Sequence, residues 1–184
     1  MLNERQRKQL LTIARDSIEA VFAGHRVALR PDEFDDALRR PSGAFVTLTE
    51  DGELRGCIGS IVPVAPLFQA VSTSAINAAF RDPRFMPLSV DEYPRVKVEI
   101  SVMGPIEPVT DCNEILVGRD GLIVSRGHSS GLLLPQVAIE YGWDRDTFLR
   151  HTCLKAGLPP DAWHFPDTKV EKFSAEVFGE QELS

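Results

Sequence analysis

Arg55 and Cys57 stand two positions apart in the stretch ELRGCIGS, residues 53–60, and each is followed by a glycine. A guanidinium close to a thiol favours the thiolate, the form that attacks electrophiles and binds metals. A free thiol is only a few per cent ionised at neutral pH, and a downward shift of about 1–2 pH units makes it substantially anionic. A strand that carries Gly56 and Gly59 forgoes the packing that valine or isoleucine would give. That leaves bare backbone for a substrate to approach. The pattern marks Cys57 as a candidate catalytic thiol, Arg55 as its activator, and Gly56 and Gly59 as a binding surface. A plainer role competes, because unpaired cysteine often serves as a small buried hydrophobe.

Four further residues could complete such a site. In RDPRF, residues 81–85, Asp82 and Arg84 sit in a loop stiffened by Pro83 and Pro87, where an arginine could clamp a carboxylate or phosphate. Asp82 could equally accept hydrogen bonds within its own turn. His128, in RGHSSG, could act as a general base or belong to a hairpin turn. Glu99 lies on the polar side of an alternating strand and becomes a candidate base if the RDPRF loop covers that side, although Lys97 nearby favours an ordinary ion pair. Cys153 falls on the apolar side of a helix, and His151 points about 200° away from it, so the two make no metal pair. No HExxH, GxSxG or GxGxxG is present.

The elements that must position these residues follow from periodicity. Residues 3–23 predict a helix with Leu10, Ala14, Ser17, Ile18, Val21 and Phe22 on one face. Residues 29–41 predict a loop with a short helical turn. Two apolar runs around Asp51-Gly52 predict a hairpin. A helix over 66–80 and an alternating strand from Val96 to Val102 come next. The second half repeats the order. Strands are expected around a second Asp-Gly turn at 120–121, then a helix from about Asp144 to Ala156 ending at Gly157, then a strand over 170–178. The chain is therefore read as one α+β domain over 1–184, mostly antiparallel sheet with helices packed on it. An internal duplication is suggested, about 43–108 and 113–180.

Composition narrows the function classes. The net charge of −7, with no basic block, argues against a nucleic-acid partner. No apolar run reaches a membrane span, and the amino terminus lacks the apolar core of a signal peptide. Three widely spaced cysteines form neither a disulfide framework nor a metal motif, which fits a reducing cytoplasm. No cofactor or metal is expected.

The assembled stretches resemble the AMMECR family, whose bacterial and archaeal members are called AmmeMemoRadiSam system protein A. The signature stands here as LRGCIG, residues 54–59. It is accompanied by GAFVTL (43–48), the DPRF loop followed by Pro87-Leu88, VEIS (98–101), GLLLPQVA (131–138), Gly142-Trp143 and a segment from Phe148 to Pro159. The resemblance covers roughly 10–178. It implies an α+β fold with a duplicated sheet and a proposed enzymatic or regulatory role around the hexapeptide. It also implies genetic association with a Memo-like protein and a radical S-adenosylmethionine protein. Three readings stay open: an enzyme or enzyme subunit using Cys57, a non-catalytic module whose LRGCIG groove binds a ligand or partner, and a scaffold whose glycines serve packing alone.

Overall fold

The computed structural model describes residues 1–182. The chain forms two compact units, one made of residues 1–103 with the chain's end from residue 176, the other of residues 104–175.

In the first unit, helix α1 (Glu4–Phe22) starts at a reciprocal cap: the Asn3 side chain accepts the Gln6 amide, and the Gln6 side chain accepts the Asn3 amide. A short helix α2 (Asp36–Arg39) leads to strands β1 (Ala44–Glu50) and β2 (Glu53–Ser60). Asp51 and Gly52 join them with φ of 52° and 84°. Both angles are left-handed, as a two-residue hairpin turn with the sheet's natural twist requires. Helix α3 (Leu67–Phe80) and strand β3 (Val96–Pro108) follow. β1 is central, with β2 on one side and β3 on the other, both antiparallel. Alternation sends Ala44, Val46 and Leu48 of β1, and Val96, Val98 and Ile100 of β3, into one core beneath α1 and α3. Fully burying each larger aliphatic side chain contributes about 2 kcal/mol.

The second unit repeats this order. β4 (Asp120–Arg126) is central between β5 (Ser129–Leu133) and β6 (Lys169–Gly179), again antiparallel. Helices α4 (Pro135–Glu140) and α5 (Arg145–Lys155) lie between β5 and β6 in sequence, and α5 starts where the Asp144 carboxylate accepts the Thr147 amide. Leu122, Val124, Phe148, Leu149 and Cys153 share its core. The protein is thus α+β, built from two hairpin–helix–strand repeats. β3 and β6 each carry the chain from one unit to the other.

The second Asp-Gly pair does not turn. Asp120 and Gly121 lie inside β4, and the hairpin turns at Gly127 instead, with φ of 58°. Asp120 is buried because its carboxylate accepts the Leu116 amide and the Arg119 guanidinium. At Gly121 a Cβ would lie 2.3 Å from the Phe173 ring. The glycine is there for close cross-strand packing.

Candidate functional site

LRGCIG occupies β2, an edge strand of its unit, and what surrounds it follows from three local features.

The first is a bulge. Leu48 pairs with Gly56 and Thr49 with Leu54, so Arg55 is the extra residue. Bulges break strict side-chain alternation and re-aim the residue they carry. Arg55 reaches the loop before β3. Its Nε donates to Glu92 at 3.1 Å and its Nη2 to the Met86 carbonyl at 3.0 Å, and its side chain is 12% exposed. The Ser89 amide also donates to Glu92, at 2.8 Å. Arg55 foremost, with the Ser89 contacts, lowers the Glu92 carboxyl to about 2. The expected activator is therefore ion-paired inside the fold, with one nitrogen, Nη1, buried and lacking a hydrogen-bond partner.

The second feature is a clamp along the edge of β2. The Cys57 amide donates to Asp82 Oδ2 at 2.9 Å, and Arg84 Nη2 donates to the Cys57 carbonyl at 3.3 Å. Arg84 grips Asp82 through Nε at 3.0 Å and Nη2 at 2.7 Å, and its own amide adds a bond at 3.1 Å. The Asp82 side chain is 1% exposed, that of Arg84 53%. The Arg84 fork, joined by the Cys57 and Arg84 amides, holds the Asp82 carboxyl far below the usual carboxylate range. RDPRF therefore replaces a neighbouring strand at Cys57 and does not cover the face of the sheet. Phe85 lies within cation–π reach of both Arg55 and Arg84, at 5.8 and 5.5 Å.

The third feature is the pair of glycines. A Cβ at Gly56 would lie 2.2 Å from the Ala78 carbonyl oxygen of α3, so that helix occupies the space. At Gly59 a Cβ would lie 2.5 Å from Phe45 Cα and from its ring. Neither glycine leaves room above its own Cα for a visitor; the protein fills both.

Cys57 itself is half-buried, and Thr47 Oγ1 donates to its sulfur at 3.3 Å. Thr47 also faces Glu99 on β3, so Cys57, Thr47 and Glu99 form one cross-strand row. Glu99 is exposed, about 10 Å of sheet away from Cys57. His128 stands in the second unit, exposed in the β4–β5 turn. The only histidine of the first unit is His25, exposed beyond the end of α1. Cys57, Asp82 and Arg84 are thus bound into one network, which Thr47 joins, while Arg55 is held separately by Glu92 and Met86, with Phe85 beside both arginines. Nothing in the spacing pointed to Glu92 or Thr47, because both enter through strand register and loop path. Among the described residues, no three His, Cys, Asp or Glu side chains converge to hold a metal ion.

Beyond the clamp, the last residues of β2 border a cleft of about 340 Å³. Ile58, Gly59 and Ser60 form one wall, and Ala70, Thr73 and Asn77 of α3 the other. Val62 and Val64, both exposed, stand at its rim. Ala70, Thr73, Ser74 and Asn77 recur at helical spacing beside the buried stripe of α3, a weak signal that the sequence did carry.

A protein of this kind is a two-unit α+β chain with a clamped edge strand. The family model AMMECR1 matches residues 11–178, and the chain belongs to that family. It is 46% identical to a protein of Methanothermobacter thermautotrophicus, over 97% of this chain and 96% of that one. It is likewise 46% identical to a protein of Thermococcus kodakarensis, over 94% of this chain and 89% of that one. The crystal structure of an uncharacterized protein from Pyrococcus horikoshii superposes with a TM-score of 0.83 at 45% identity, covering 94% of this chain and 90% of the other. Among the described residues no helix is long and apolar enough to cross a membrane.

Proposed function

We propose that this chain is a non-catalytic binding module, and that the end of LRGCIG forms one wall of the cleft where a ligand or partner protein docks. One observation carries the reading: the charged side chains around Cys57 are engaged within the fold, Arg55 by Glu92 and Asp82 by Arg84, whereas Ile58, Gly59 and Ser60 line the cleft. The family resemblance adds candidate partners, a Memo-like and a radical S-adenosylmethionine protein, within a cytoplasmic setting.

Affinity capture from extract of the source cells tests this. The wild-type chain and Cys57→Ser are expected to retain the same partner. Thr73→Trp, an exposed position that fills the cleft without touching the core, is expected to lose it. The reverse pattern rejects the binding reading.

The enzyme reading draws on a different observation, the half-buried sulfur that accepts a hydrogen bond from Thr47, on a residue whose backbone carbonyl accepts one from Arg84. Mapping alkylation of each cysteine by mass spectrometry separates the two. The binding reading expects Cys57 in the folded chain to react at pH 7 no faster than in the urea-unfolded chain; a much faster reaction in the folded protein would establish an activated thiolate.

A further inference from the structure

We infer that the open end of β2 receives the extended carboxyl-terminal segment of a protein partner, running antiparallel to β2, with its penultimate residue opposite Gly59 and its terminal carboxylate beside Arg84. The inference rests on the binding reading above and names the occupant of that cleft.

Backbone geometry sets the kind of occupant. In an antiparallel pair, residues alternate between turning their N–H and C=O groups toward the partner strand and turning them away. The Asp82–Arg84 clamp takes both groups of Cys57 from the outer side, so Cys57 belongs to the outward set. Gly59, two residues on in the unbroken register from Ile58↔Val46 to Ser60↔Ala44, belongs to the same set. Neither of its backbone groups has a side-chain partner among the described residues. An edge that presents one donor and one acceptor at strand spacing is a template for another strand. Here α3 flanks it with the small side chains of Ala70, Thr73 and Asn77.

Charge sets the direction. The cleft is lined by uncharged residues, so the side chain it accepts is small or apolar. At its inner end the clamp already fills the position opposite Cys57, so an added strand must stop there. A parallel strand would begin at that point and set its ammonium beside the half-exposed Arg84 guanidinium. An antiparallel strand ends there and brings a carboxylate, which that guanidinium can bind.

The test uses the intact protein and a synthetic library of short peptides with free carboxyl termini. Enriched peptides are measured by fluorescence anisotropy, each alongside its carboxamide and a form N-methylated at the penultimate residue. Both changes lie in the ligand and leave the fold untouched. Each is expected to weaken binding about tenfold or more, and Thr73→Trp is expected to abolish it. Slower hydrogen exchange at the Gly59 amide in the complex is the accompanying sign. The inference is overturned if no peptide enriches, or if enriched peptides tolerate amidation and N-methylation. If that happens while Thr73→Trp still abolishes partner capture from extract, the cleft stands and only its strand-like occupant falls. If Thr73→Trp leaves capture intact, the wider reading falls as well.

Discussion

Gly56→Val is expected to prevent the first unit from folding, although valine is the better strand former. The new Cβ would lie 2.2 Å from the Ala78 carbonyl oxygen and 3.1 Å from its carbon, both parts of a helix backbone. A flexible side chain could swing aside; a hydrogen-bonded turn of α3 cannot. Relief requires lifting α3 from β2, which would open the core that Leu67, Phe68, Val71 and Ala75 share with β1. Overpacking a core costs about 1–3 kcal/mol in ordinary cases. A clash with main chain exceeds that, by our reckoning costing about 4 kcal/mol or more. Gly56→Ala should show a large share of the effect, because the first added carbon already collides. Urea unfolding followed by near-ultraviolet circular dichroism reads it directly. An alanine variant as stable as the wild type would mean that α3 does not pack on the strand this closely.

Asp82→Ala is the second large effect. It strips Arg84 of its partner and leaves the Cys57 amide without its acceptor. Removing the buried, hydrogen-bonded carboxylate while the half-exposed Arg84 can turn to water costs about 2 kcal/mol, or about 6 °C in Tm for a chain of this size. Its pH signature is distinctive. The folded protein holds the Asp82 carboxyl well below its ordinary value, so the unfolded chain binds the extra proton first. The stabilisation is complete above the unfolded carboxyl's range, about pH 4–5, and is lost as pH falls through the lower folded value. Glu92, lowered to about 2, acts in the same direction over a similar window. Melting temperature measured from pH 7 down to 2 should fall steeply for the wild type below about pH 5. Asp82→Ala should start lower and fall less steeply. Parallel curves would show that the clamp contributes nothing that depends on charge.

The sequence made the framework readable wherever a signal was long or doubly marked. The helix expected over 3–23 spans Glu4–Phe22, and Asp144 caps α5 as its position before the helix suggests. The two Asp-Gly pairs show the limit of a two-residue signal. Asp51 and Gly52 adopt the left-handed angles the pair permits, whereas Asp120 is drawn inward by Leu116 and Arg119. α4 went unread because six residues hold too little periodicity to register. At the candidate site, residue types were legible and their partners were not. Arg55 and Cys57 look like neighbours by alternation, yet a bulge that no local pattern marks gives Arg55 to Glu92. Gly56 and Gly59 announce close approach correctly, but a glycine cannot say whether the approaching group belongs to the protein or to a guest.

The return of β6 to the first unit bears on biosynthesis. Phe178 is fully buried among residues of α1, α3, β1 and β3, Glu176 binds Arg7 and the Leu2 amide, and Glu180 binds Arg15 and the Val98 amide. The first unit therefore lacks its closing piece until residues 176–180 have been made. Its nascent form must wait with an unfilled place in its core, so emergence of the later part of β6, and not of β3, marks the moment when this unit can become native.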